Sequence, residues 1–203
     1  MTAGARNYSQ HRQPDGSAWP MPPQDGYTVD DFFSLDLPPH TEMIDGSLVF
    51  VSPQRKFHSL AMYLLELGLR RSIPEHLRVR REMAVVLTDK TVPEPDLIVV
   101  TAESDGESEQ TRYRADDVVL AIEVVSPDSE SRDRDTKPRK YAAAGIPSFW
   151  LVEMDPRGKG PVVHTHTYDP ATRAYTPTGV YRDRLKIAEP FDVDIDLTEY
   201  DRL

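Results

Sequence analysis

The stretch AIEVVSPDSESRDRDTKPRKY, from Ala121 to Tyr141, decides how the rest of the chain is read. Its first residues complete an apolar run, Val118 to Ile122, of the kind that forms a buried strand. Glu123 interrupts that run before Val124 and Val125 continue it, and a carboxylate inside a core strand is costly unless something pairs with it. Ser126-Pro127 ends the strand, and a polar loop leads to a short helix from about Thr136 to Ala144 carrying Lys137, Lys140 and Tyr141. Gly145 closes that helix, and Phe149 to Val152 forms a second buried strand. Strand, helix and strand in this order predict a parallel pair joined by a crossover helix. Upstream, Pro95-Asp96 opens another apolar run, Leu97 to Val100, again with one acid at its edge.

Towards the N-terminus, Thr28-Val29-Asp30-Asp31 fits a capping box, followed by a short helix with Phe32, Phe33 and Leu35. Asp45-Gly46 between apolar pairs predicts a hairpin over Glu42 to Phe50. Phe57, Leu60, Ala61, Leu64 and Leu67 recur at helical spacing over about Gln54 to Arg71. One or two strands are expected over Leu77 to Leu87, and a polar loop over Ala102 to Gln110. Beyond Gly158 the chain reads as a β-rich tail: Val162 to Tyr168, Ala174 to Tyr181, Leu185 to Ala188, then a turn near Leu197. The expected class is α/β (α+β), one mixed β-sheet flanked by helices, with a β-rich C-terminal part. Residues 1–26, rich in Pro, Gln, Gly and Ser, are expected to form a disordered tail before a domain over residues 27–203.

With 203 residues the chain can bury a sizeable core. No apolar run approaches the roughly 18 residues of a membrane span, and no secretory h-region opens the chain. There is no cysteine, hence no disulfide framework and no thiolate metal site, so a cytoplasmic protein is the expectation. The net charge of −10 argues against a general polyanion-binding surface but leaves room for a local basic groove.

Asp96, Glu123 and Lys137 are the principal candidates for chemistry. Two carboxylates at adjacent strand ends can share Mg²⁺, a hard ion that prefers oxygen, and a nearby ammonium can offset charge developing on a phosphate. The competing reading is an ion pair closing the sheet edge. Asp133, Lys137 and Tyr141 share a helix face if the helix begins as early as Asp133, with Lys140 to one side. Arg78, Arg80 and Arg81, with Arg132, Arg134, Arg139 and Lys140, are the cations able to meet phosphate; they also suit a solvated face. His164 and His166 form an H-x-H on an expected strand, a spacing able to hold Zn²⁺, with an exposed hairpin face as the favoured reading.

Pro-Asp heading an apolar strand, followed by a Glu-x-Val-Ser-Pro strand, resembles the PD-(D/E)XK nuclease superfamily. More closely, the chain resembles the Uma-type restriction endonuclease family. The matching pieces are Glu42 to Gly46, Ser52-Pro53 with His58, Pro95-Asp96-Leu97, Glu123 to Pro127, Asp133-x3-Lys137-x3-Tyr141, Gly145 and Phe149 to Val152. They run from about Tyr27 to Leu197. The resemblance implies a restriction-endonuclease-like core with Asp96 and Glu123 as metal acids and the Val124 carbonyl as a third ligand. It adds Glu42 and His58 near the site. The superfamily's lysine follows its glutamate by two residues; here that position is Val125, and Lys137 on the following helix would supply the amine.

The resulting expectation is a Mg²⁺- or Mn²⁺-dependent endonuclease that hydrolyses DNA through a metal-bound water. Asp96, Glu123 and Lys137 would act, Glu42, His58 and Tyr141 would support them, and Arg132, Arg134 and Lys140 would contact DNA. A homodimer is the expected assembly. The rivals are a non-catalytic DNA- or protein-binding module that keeps the fold, and a metal-binding β-domain around His164 and His166.

Overall fold

A computed structural model describes residues 22–51, 53–158 and 160–203. The expected tail lies outside these as far as residue 21. Residues 22–26 form a turn, in which the Gly26 N–H donates to the Pro23 carbonyl at 2.9 Å.

Helix α1 (Val29–Ser34) opens on the expected capping box: Thr28 and Asp31 each accept from the other's backbone N–H. Strands β1 (Thr41–Ile44) and β2 (Ser47–Phe50) form the expected hairpin. Asp45 and Gly46 turn it with φ of 50° and 74°, as a two-residue turn matching strand twist requires. Helix α2 (Lys56–Ser72) buries Phe57, His58, Ala61, Leu64, Leu65 and Leu69 along one face. Strands β3 (Leu77–Arg81) and β4 (Ala84–Val86) follow, then β5 (Leu97–Thr101), β6 (Arg112–Arg114) and β7 (Val118–Val124). A π-type turn, Arg132–Thr136, runs directly into α3 (Lys137–Ala143). The chain finishes with β8 (Ser148–Met154), β9 (Pro161–Asp169), β10 (Ala174–Tyr181), β11 (Arg184–Ile187), β12 (Val193–Asp196) and a 3₁₀ turn, Leu197–Arg202.

Six strands make the central sheet in the order β10-β9-β8-β7-β5-β3. The neighbours β7 and β8 are parallel and joined by α3, as strand–helix–strand spacing predicts; the other pairs are antiparallel. Strands β5 and β7 are buried almost throughout, which explains their unbroken Val, Ile and Leu content. One sheet face, with Leu97, Val99, Leu120, Ile122, Trp150 and Val163, packs on α2 and the β11–β12 hairpin. The other, with Ile98, Ala121 and Phe149, packs on Tyr141 of α3 and Ile146. The segment Val162 to Tyr168, expected in a β-rich tail, is thus part of β9 and lies inside the main sheet. Beyond it, β10 closes one edge with a register shift between Pro177 and Gly179.

Gly68 lets α2 approach β12 closely. A Cβ there would lie 2.5 Å from both Cγ1 and Cδ1 of Ile195. Gly68→Ala should therefore lower stability: overpacking typically costs about 1–3 kcal/mol, more than the helix propensity gained, about 1 kcal/mol. Urea denaturation checks this, and Ile195→Val should reduce the penalty.

Candidate active site

The register of β5 on β7 pairs Leu97 with Ile122, so the next residues outward, Asp96 and Glu123, come together at the end of the sheet. Asp96 accepts from the Val124 N–H at 2.6 Å through Oδ2, and its Oδ1 lies 2.8 Å from His58 Nε2. The first turn of α2 thereby reaches the acid from the opposite sheet face. Val124 enters the site through this N–H and lines the cavity there.

Glu123 is buried and accepts from the Tyr141 hydroxyl. Lys137 Nζ lies 3.1 Å from Glu123, 2.8 Å from Glu42 Oε1 and 3.5 Å from Asp133 Oδ1, with only 6% of its side chain exposed. The π-type turn begins the helical path before α3, which brings Asp133 one turn below Lys137 on the same face. Glu42, in β1, also accepts from the Glu94 N–H at 2.9 Å. Of the acting and supporting residues expected from the sequence, Asp96, Glu123, Lys137, Glu42 and His58 line one small cavity, and Tyr141 stands behind Glu123.

Asp133 completes the group, and only an early helix start would have placed it there. The rim adds a pair the sequence reading passed over: His40 Nδ1 stands 2.6 Å from Glu94 Oε1. Glu94 sits two residues before Asp96 in Pro93-Glu94-Pro95-Asp96, so a second acid was visible in the same motif.

The basic candidates separate. Arg132 lines the small cavity, and its Nε is buried without a hydrogen-bond partner. Arg134 pairs with Glu153 at 2.9 Å and Glu130 at 3.2 Å, and lines a larger groove next door. Lys140 is taken up by Asp45 of the β1–β2 turn. Arg80 and Arg81 pair with Asp105 and Glu66. The favoured reading of the H-x-H, an exposed hairpin face, is not what forms: His164 lies 3.5 Å from Glu153, and His166 is part-buried beside the Phe149 ring.

Electrostatics follow from burial. Four buried carboxyl groups, Glu42, Asp96, Glu123 and Asp133, face one buried ammonium. Desolvation pushes Glu123 well above the usual carboxylate range; Lys137 opposes the shift while the neighbouring acids add to it. Asp133 is raised for the same reasons. Burial works to lower Lys137, but Glu123, Glu42 and Asp133 outweigh it and hold the ammonium well above its ordinary value. Burial also raises Tyr141, so its hydroxyl stays a donor.

The residues present suit a hard divalent cation. Oε2 of Glu42 is buried without a hydrogen-bond donor, Oδ1 of Asp133 has only the Lys137 ammonium at 3.5 Å, and the potential ligands are carboxylate oxygens, which Mg²⁺ and Mn²⁺ favour. The cavity they border holds about 30 Å³, room for very few water-sized bodies. Among the described residues, no group of three or more His, Asp or Glu side chains closes around a single point as a metal cage.

A family profile described as "Uma2: Putative restriction endonuclease" matches residues 29–198. The chain belongs to the Uma2 family. A crystal structure from Anabaena variabilis, described as "a putative nuclease belonging to DUF820", is similar at 18% identity with a TM-score of 0.67. The likeness covers 85% of this chain and 98% of that one, and it shows a shared fold. No curated protein matches the chain. Membership of Uma2 agrees with the resemblance read from the motifs, and the mixed sheet flanked by helices is the fold shared with the Anabaena structure. Among the described residues, no helix is long and apolar enough to cross a membrane.

The raised pKa of Glu123 has a definite sign in stability. Its folded value lies above the ordinary 4.5, so its contribution declines as pH rises from about 4.5 through the folded value. Glu123→Gln removes that decline. The stability of the variant relative to the native chain should increase with pH across this window, by at most about 1.4 kcal/mol per pH unit. Urea denaturation of both proteins at several pH values checks it; parallel pH profiles would mean Glu123 is ionised throughout.

Proposed function

We propose that this Uma2 protein is a Mg²⁺- or Mn²⁺-dependent endonuclease acting on DNA. The observation that carries the reading is the excess of buried carboxyl groups over buried ammonium at the end of β5 and β7. Such an excess is costly unless protons or a cation balance it, and a divalent cation is the balance that would also serve phosphodiester hydrolysis. Asp96 and Glu123 would hold the ion by exchanging their present donors for it, with the Val124 carbonyl as a further oxygen and Glu42 Oε2, which has no donor, bordering the same cavity. Once bound, it would polarise a phosphate oxygen and activate water.

The chain's own residues fix the geometry. The Val124 N–H and His58 orient Asp96, and Tyr141 orients Glu123. Glu42 and Asp133 hold the Lys137 ammonium beside them, where it can offset negative charge growing on a phosphate in the transition state. Arg132 lines the same cavity with its Nε unpartnered and suits a phosphate oxygen. Arg134 flanks the neighbouring groove, and Lys140 can contact DNA only in competition with Asp45.

Glu123→Ala should abolish Mn²⁺ binding in calorimetry while the protein remains folded. Lys137→Met should keep Mn²⁺ binding and lose cleavage by about a hundredfold or more, the usual size of a lost electrostatic stabiliser. Nicking assays on mixed DNA substrates in Mg²⁺ or Mn²⁺ provide the readout. Native protein that binds DNA but cleaves none would transfer the reading to a binding module.

A further inference from the structure

A groove of about 450 Å³ opens beside the carboxylate cavity, and His58 lines both. It lies past the carboxyl ends of the parallel strands β7 and β8, where sheets of this kind receive ligands. Its size suits a nucleobase with its sugar. Its walls include apolar Val125, Pro127, Met154 and Val162, and it is also lined by Arg55, Arg134 and Arg182 with the acids Glu130 and Glu153, both of which Arg134 pairs.

The three arginines are not equally engaged. Arg134 is bound to Glu130 and Glu153. Arg182 has a distant partner in Asp155, at 3.9 Å, whose carboxylate Arg157 already holds through both oxygens. Arg55, exposed at the start of α2, has no ion-pair partner among the described residues. Two guanidinium groups are thus available to phosphate at the edge of an apolar slot.

Paired and stacked bases present only their edges in the grooves of a duplex, and their faces are covered. An apolar slot gains most from the face of a base that has left its stack, as in proteins that bind single strands or extrude a nucleotide. The charge balance agrees. A chain of net charge −10 is poorly suited to the dense phosphate array of a duplex, whereas a short basic rim serves one strand.

Resting on the nuclease reading above, we propose that this groove takes an unpaired nucleotide flanking the scissile phosphate. The substrate is then single-stranded or locally unpaired DNA. The apolar wall receives the base, Arg55 and Arg182 hold the adjoining phosphates, and His58 marks the passage to the carboxylates.

The test measures binding of a mixed-sequence single-stranded oligonucleotide and its duplex to the full chain by fluorescence anisotropy, with Ca²⁺ in place of Mg²⁺. The single strand should bind at least tenfold more tightly. Met154→Glu, at a side chain 54% exposed, and Arg55→Glu should each weaken single-strand binding several-fold and leave Mn²⁺ affinity unchanged. Duplex binding as tight as single-strand binding, or variants that bind the single strand like the native chain, would overturn the inference. Cleavage that still depends on Lys137 would then leave the nuclease reading standing. Absence of both DNA binding and cleavage would remove that reading and this inference together.

Discussion

The ammonium of Lys137, buried within 3.5 Å of three carboxylates, is the contact on which the arrangement depends. Neither partner could be buried alone. Without the acids, desolvation would drive the lysine neutral; without the lysine, the acids would take up protons. Each carboxylate comes from a different piece of the fold: Glu42 from a hairpin, Glu123 from the central strand, Asp133 from the turn before α3. The charge cluster therefore ties the β1–β2 hairpin, whose apolar residues belong to a separate cluster, to β7 and α3. Breaking such a pair from one side is expensive, which makes the cluster a point of rigidity as well as of chemistry.

The sheet sorts its neighbours by face. Helix α2 lies on one side and sends His58 across the strand ends to Asp96, while α3 lies on the other and supplies Lys137 and Tyr141. Both faces thus contribute to one site at the sheet's end, and the small polar cavity and the larger apolar groove meet there. The parallel pairing of β7 and β8 makes this possible, because it directs two strand ends, with the loops that follow them, towards the same region.

Much of this was legible in residue order. Apolar runs gave β5, β7 and β8, strand–helix–strand spacing gave the parallel pair, and a single acid at the head of one run and within another marked Asp96 and Glu123. Placing the amine on a helix one loop downstream brought in Lys137. Other features depend on tertiary pairing that no local pattern encodes. Strand β6 has three residues and exists because β4 lies beside it. Strand β9 reads locally as part of a hairpin, and only the sheet order makes it interior. Asp133 belongs to the site because a π-type turn extends the helical path backwards. The captures of Lys140 by Asp45 and of Arg134 by Glu153 span 95 and 19 residues, so exposure of either cation could not be judged from its surroundings in sequence.

The strand at the β10 edge has a consequence beyond the site. An edge strand with a continuous row of backbone groups can template the addition of further chains. In β10, Pro177 contributes no N–H, and the register shifts before Gly179. The row is interrupted midway along the strand. A break of this kind works against edge-to-edge addition of strands, because a register shift bends and twists the edge that a further chain would have to follow.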